Sequence, residues 1–240
     1  MKKLISNIDY TLLNTEATVE EIKELCRKAN EFGVKSVCVR PNMVHIAKKE
    51  LLKSDVLVCT VVSFPEGVDT TTEKLEETRK CIADGADEID MVLNYKKMIL
   101  PSLGFYHPSL VNDVETLVRE CHRHTNKDDE KITLKVIVES SMLDEYETRD
   151  ATKICIQAGA DFIKTSTGYA PNNIGAELHK IQTMKKMINE AHSHMKIKAS
   201  GGIRTLEDLQ KFEPYVDRFG VGCVAVDNIF SNKEKINDTY

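Results

Sequence analysis

The sequence predicts a TIM-type (β/α)₈ barrel forming a single α/β domain over residues 1–240. Three observations carry this. A length of 240 residues suits one large core, and barrels of this size routinely form one domain. Short β-branched runs alternate with amphipathic stretches along the whole chain, giving eight strands each followed by a helix. No Gly/Ser/Pro linker or low-complexity tract interrupts the alternation. A doubly wound open sheet is the structural alternative.

The elements follow in order. LISNID (4–9) is read as the first strand. TVEEIKELCRKANEFG (18–33) places Ile22, Leu25, Cys26 and Ala29 on one helical face and stops at Gly33. KSVCV (35–39) and VLVCTVVSF (56–64) are the second and third strands. TTEKLEETRKCIADG (71–85) is a helix closed by Gly85, and it leads into strand four, EIDMVLN (88–94). Strand five is ITLKVIVES (132–140). YETRDATKICIQAG (146–159) is a helix closed by Gly159, leading into strand six, FIKTSTG (162–168). Glycine just past a helix supplies the left-handed residue that ends it at little steric cost. KIKASGG (196–202) and RFGVG (218–222) complete the set, with TLEDLQKF opening a helix between them.

Composition narrows the function. Hydrophobic residues make up 41% and charged residues 30%, with a net charge of −5, so no basic footprint for nucleic acid is present. VLVCTVVSF is far too short to span a membrane, and MKKLISNIDY lacks the apolar region of a signal peptide. The seven cysteines are scattered and none has CxxC spacing, which points to a reducing cytoplasm rather than to a disulfide or zinc framework. HRH (122–124) and HSH (192–194) lie at polar helix ends and read as solvated surface.

Two stretches share a frame. CIADGADEID (81–90) and CIQAGADFIK (155–164) align on Cys81 and Cys155, and their Gly-Ala-Asp triplets coincide. Asp90 then falls where Lys164 falls. The stretches feed strands four and six, and alternate strands of such a barrel contribute to the same interior layer. Asp90 and Lys164 are therefore expected to face one another inside. Lys198 lies on strand seven, next to strand six, and Asp9 is expected at the end of strand one. Lys135 and Glu139 are expected on one face of strand five, where a structural salt bridge and a place in a site are both open.

Two lysines on adjacent strands need a reason. Ammonium groups about 6 Å apart at an effective dielectric near 20 repel by roughly 3 kcal/mol, or about two pKa units. A lysine amine would fall toward roughly 8, and its neutral form is a nucleophile for carbonyl carbon. A nearby carboxylate can move protons. Lys164 is favoured as the attacking amine because Thr165-Ser166-Thr167-Gly168 leaves space around a substrate. Gly201 and Gly202 in SGGIRT, and Gly220 and Gly222 in RFGVGC, let backbone N–H groups approach an anion where this fold usually binds phosphate.

KTSTG (164–168), KASGGIRT (198–205), EIDMVLN (88–94), IDYTLLN (8–14) and SVCVRP (36–41) together resemble the deoxyribose-phosphate aldolase family, in the family's order and over nearly the whole chain. The resemblance implies a class I aldolase on a TIM barrel, needing neither metal nor cofactor. It would act on a small sugar phosphate, cleaving 2-deoxy-D-ribose 5-phosphate to D-glyceraldehyde 3-phosphate and acetaldehyde in deoxyribose catabolism. Lys164 matches the Schiff-base lysine, Lys198 the second active-site lysine and Asp90 the proton donor and acceptor. Asp9 belongs to the supporting network at the substrate, and Gly168, Gly201, Gly202, Gly220 and Gly222 fall in its binding loops. Family members are often homodimers, and this sequence carries no interface signature of its own.

The chain departs from the family pattern at several positions. Tyr10 stands where His is usual, Asn14 where Lys is frequent, Ser63 for a usual Gly, and Ser140 for Thr. Gly222 and Cys223 replace two small hydroxyl residues in the strand-eight loop. The stretch YKKMILPSLGFYHPSL (95–110) is longer than usual and lies where it would reshape the mouth. Cys38 reads as a small buried hydrophobe and Tyr240 as a disordered terminus. The rival readings are a Schiff-base aldolase for another sugar phosphate, a metal-dependent aldolase, and a sugar-phosphate binder without catalysis.

Overall fold

The computed structural model describes residues 2–99, 108–126, 128–172 and 174–237. Eight parallel strands close into a barrel in chain order, and the last pairs with the first. They are β1 Ile8–Leu12, β2 Ser36–Val39, β3 Leu57–Val62, β4 Glu88–Val92, β5 Thr133–Ile137, β6 Phe162–Lys164, β7 Lys196–Ser200 and β8 Arg218–Gly222. The helices are α1 Lys2–Ile5, α2 Val19–Phe32, α3 Val44–Glu50, α4 Thr71–Ala83, α5 Pro108–Cys121, α6 Glu145–Gln157, α7 Leu178–Glu190, α8 Leu206–Phe212 and α9 Cys223–Asn237. Closure rules out the open sheet. Among the described residues no helix is long and apolar enough to cross a membrane.

Local chemistry explains the helix boundaries. Thr18, Thr70, Asp144 and Thr205 each begin a helix with a reciprocal capping box to Glu21, Glu73, Glu147 and Asp208. Gly33 ends α2 at φ 67° and donates its N–H to Ala29 O at 3.0 Å. The predicted α2 face of Ile22, Leu25, Cys26 and Ala29 is the buried one. Together with the outward side chains of the strands, such as Val37, Val58, Ile89, Leu134, Ile163, Ile197 and Phe219, it belongs to one apolar layer around the barrel.

Three expectations are corrected. The first strand begins at Ile8, because Lys2–Ile5 forms a short helix that buries Leu4 and Ile5 and turns at Asn7, whose N–H donates to Leu4 O at 3.2 Å. Asp9 therefore sits low in β1, not at its end. Glu139 lies beyond β5 at φ 50°, so it leaves the strand alternation and shares no face with Lys135. Strand six ends at Lys164. Thr165 beyond it still donates its N–H to Lys198 O at 3.1 Å and accepts the Ser140 N–H at 2.8 Å, and its hydroxyl donates to Ser200 O at 3.0 Å while accepting the Ser200 N–H at 3.0 Å.

Candidate active site

Strand register brings the charges together. Asp90 pairs with Lys135 across β4 and β5, Lys164 with Lys198 across β6 and β7, and Lys198 with Arg218 across β7 and β8. Register partners share a face of the sheet. Here that face is the barrel interior.

The charges are stacked along the barrel axis. Arg218 and Glu88 each begin a strand and Asp9 is second in its own, so these three form the lowest layer. Arg218 donates to Asp9 Oδ1 at 2.6 Å and to Glu88 Oε1 at 3.1 Å. Lys135 lies above them, with its Nζ 2.7 Å from Glu88 Oε2 and 2.8 Å from Asp90 Oδ1. Lys198 Nζ is 2.7 Å from Asp90 Oδ2, and 2.5 Å from Asp9 Oδ2 as an ion contact without hydrogen-bond alignment. At the top, Lys164 Nζ donates to Asp90 Oδ2 at 2.8 Å. Gly220 makes room for this packing, since a Cβ there would lie 2.8 Å from Ser200 Cβ and 3.1 Å from Lys198 Cε.

The two lysines on neighbouring strands are thus not a bare repulsive pair. Four cations share three carboxylates: Lys135, Lys164, Lys198 and Arg218 against Asp9, Glu88 and Asp90. Burial opposes the charged form of such groups, and Asp9, Glu88, Asp90, Lys135, Lys198 and Arg218 keep their charge through their partners. Burial opposes ionisation of Asp90, but Lys135, Lys164 and Lys198 overcome it and hold the carboxyl well below the usual range. Burial likewise opposes the Lys198 cation, yet Asp9 and Asp90 raise its pKa and keep the proton on. Glu88 is lowered by Lys135 and Arg218 against its burial.

The cluster forms the floor of a cavity of about 490 Å³ at the C-terminal ends of the strands. Lys164, Gly168, Gly201, Gly202, Gly220 and Gly222 line it, together with Arg204 and the start of α9. Asp9, Asp90 and Lys198 are fully buried beneath. The Thr165–Gly168 loop is held from the side: both Glu139 carboxylate oxygens accept the Thr167 N–H, at 3.3 and 3.2 Å, and the Thr167 hydroxyl also donates to Glu139. Burial raises the Glu139 pKa against the opposing effect of the Thr167 bonds and Lys164.

Not every buried lysine belongs here. Lys74 donates to Val92 O at 3.1 Å and Lys180 to Ser140 O at 2.7 Å, so both cap carbonyls between helices and strands. Sequence reasoning missed Glu88, Arg218 and Gly175. Glu88 was readable, because it lies two residues before Asp90 and so on the same strand face. Gly175 was not, since its need for no side chain comes from Gly201, whose carbonyl would lie 2.1 Å from a Cβ there.

Cys38 is fully buried with Leu13, Cys59 and Val61. Cys38, Cys59 and Asp90 lie close enough to share an ion, as do Asp9, Cys59 and Glu88. In both sets, however, the carboxylates already bind lysine or arginine, so a cation would have to displace those partners. His122 and His124 pair with Asp161 and Glu120, at 3.0 and 3.4 Å. Tyr240 and residues 100–107 of the long stretch lie outside the described residues.

Comparison with known proteins agrees with this architecture. Residues 3–213 match the family model described as DeoC/LacD family aldolase. The chain is 42% identical over 219 residues to a deoxyribose-phosphate aldolase of Treponema denticola, covering 91% of this chain and 92% of that protein. It is 45% identical over 201 residues to one of Mycoplasmoides pirum, covering 84% of each. The deoxyribose phosphate aldolase of Aeropyrum pernix, described as a tetramer, superposes with a TM-score of 0.80 at 28% identity, covering 97% of this chain and 92% of that one. The chain belongs to the DeoC/LacD family of aldolases, and the protein is a carbon–carbon lyase.

Proposed function

We propose that this aldolase reversibly cleaves 2-deoxy-D-ribose 5-phosphate to D-glyceraldehyde 3-phosphate and acetaldehyde, through a Schiff base on Lys164, in cytoplasmic deoxyribose catabolism. The substrate is that named for its relatives. One observation carries the choice of nucleophile. Of the three lysines in the interior cluster, only Lys164 lines the cavity, with 4% exposure against 0% for Lys135 and Lys198. It also has a single carboxylate in ion-pair contact among the described residues, where the other two have at least two each.

The chemistry follows from these neighbours. Lys164 passes a proton to Asp90 and attacks the C1 aldehyde carbon of the open-chain sugar. Asp90 returns that proton to the carbinolamine hydroxyl, which leaves as water and gives a protonated imine in contact with the regenerated Asp90 carboxylate. A base, Asp90 acting through water, takes the proton of the C3 hydroxyl. The C2–C3 bond breaks, its electrons flow to the imine nitrogen, and C3–C5 departs as glyceraldehyde 3-phosphate. Lys198, held protonated by Asp9 and Asp90, supplies through water the proton that converts the enamine to an imine, and recovers from Asp90, 2.7 Å away, the proton taken from the C3 hydroxyl. Water then releases acetaldehyde and restores the amine. The imine serves as electron sink, so the steps call for no further cofactor.

One wall of the cavity suits the phosphate, with the Gly201-Gly202 loop after β7, Gly220 and Gly222 at the end of β8 where α9 begins, and Arg204 beside them. Seven free cysteines, six of them buried, accord with a reducing compartment. Turnover of deoxyribose 5-phosphate, read as glyceraldehyde 3-phosphate formed, tests the reading. No turnover of this sugar, with turnover of another sugar phosphate, would transfer the assignment to that substrate.

A further inference from the structure

One wall of the cavity is the start of α9. Gly222, Cys223, Val224, Ala225 and, one turn on, Asn228 line it. Residues 222–225 carry neither a hydroxyl nor a cationic side chain. What residues 222–225 offer an anion is therefore their backbone N–H groups and the positive end of the helix, with the Asn228 amide one turn on. A side-chain donor can re-aim by rotation, whereas backbone donors point wherever the helix as a whole points.

That direction is fixed from outside the cavity. Asp227, one turn into α9, accepts the Tyr10 hydroxyl at Oδ1 at 2.5 Å and the Lys28 ammonium at Oδ2 at 2.7 Å. Phe230, three residues later, stacks on Phe32 with centroids 3.8 Å apart, and Phe32 meets Tyr10 edge-on at 6.0 Å. Tyr10 lies on the outer face of β1, and Lys28 and Phe32 lie four apart on α2. Burial and Asp227 push the Tyr10 pKa up, so the phenol stays a donor. Lys28 also offsets the Asp227 charge, which would otherwise face an anion from within the same helix.

Accepting the deoxyribose 5-phosphate reading above, we infer that Tyr10 and Lys28 are positioning residues for substrate binding. Through Asp227 they set the orientation and charge of the α9 wall against which the phosphate rests. Neither touches the cavity.

The test compares Tyr10→Phe, Lys28→Met and Lys28→Arg on deoxyribose 5-phosphate and on unphosphorylated 2-deoxyribose. Lys28 is 29% exposed, so its variants are expected to fold. The KM for the phosphorylated sugar should rise about three- to tenfold in Tyr10→Phe and Lys28→Met, the span of a weakened helix-terminus interaction. Its kcat and the kinetics of the unphosphorylated sugar should hold, and Lys28→Arg should recover the wild-type KM. An equal loss on both sugars that tracks a lower melting temperature overturns the inference, and so does an unchanged KM. If the wild-type enzyme itself does not prefer the phosphorylated sugar, the substrate reading fails first and the inference falls with it.

Discussion

Lys164 and Lys198 are register partners on adjacent strands, and their ammonium groups converge on one oxygen, Oδ2 of Asp90, at 2.8 and 2.7 Å. One carboxylate oxygen thus links a lysine that lines the cavity to a lysine sealed beneath it. The two side chains are chemically the same and unequal in surroundings, and the roles proposed for them follow from that inequality.

The first prediction separates the two lysines by stability. Lys164→Ala removes one ion-pair contact at the cavity floor, so stability should change by about 1 kcal/mol while activity is lost. Lys198→Met leaves Asp9 and Asp90 each short of a cation beneath the cavity, at a cost of roughly 3–5 kcal/mol. Its kcat should also fall by about 10²–10⁴ as proton transfer is lost. Urea unfolding alongside kinetics checks both.

Arg218 anchors the lowest layer without reaching the chemistry. Arg218→Met should destabilise the fold by roughly 3–5 kcal/mol, because Asp9 and Glu88 lose their shared partner. A variant as stable as wild type would mean that the layer is not held by this arginine.

Acid stability has a definite sign. Asp90 and Glu88 have folded pKa values below their ordinary 3.8 and 4.5, and Asp9 is lowered too. Their stabilisation is present above the ordinary values and is lost as pH falls below them toward the folded values. Glu139 is raised, so its contribution is present below its ordinary 4.5 and is lost as pH rises through its folded value. Below about pH 4.5 the unfolding free energy should therefore fall, less steeply in Asp90→Asn, whereas Glu139→Gln should act above pH 4.5, removing the loss of stability that Glu139 causes as pH rises through its folded value. Thermal melts from pH 7 to 3 read the slopes.

Gly222 has open space where a side chain would project. Gly222→Ser should fold normally and add a hydroxyl donor to the α9 wall. The expected result is a KM for the phosphorylated sugar lower by about three- to tenfold, the net worth of one ordinary hydrogen bond. An unchanged KM would place the phosphate elsewhere in the cavity.

The barrel was legible because its periodicities are local. The α2 face, the stop at Gly33 and the alternation of strand and helix all follow from residues within one element. The juxtaposition of Asp90 and Lys164 was legible for a different reason: matching lead-ins gave matching phase on strands two apart. What sequence missed lies in relations between distant segments. Leu4 and Ile5 looked like strand residues because both are apolar, and their burial under the barrel is a tertiary fact. Glu139 continued the strand-five alternation on paper, yet Thr167 draws it into the loop. Two adjacent lysines suggested simple repulsion, because the carboxylates between them come from β1 and β4. Arg218 and Glu88 gave no sign of pairing, being 130 residues apart.

The central claim is that Lys164 forms the imine. The most direct measurement is to incubate the protein with acetaldehyde, reduce with borohydride and map the adduct by peptide mass spectrometry, with Lys164→Ala as control. An ethyl adduct on the Lys164 peptide, absent from the control, is the predicted result. An adduct on Lys198 in the wild-type protein, or none in protein shown to be folded, would contradict the account.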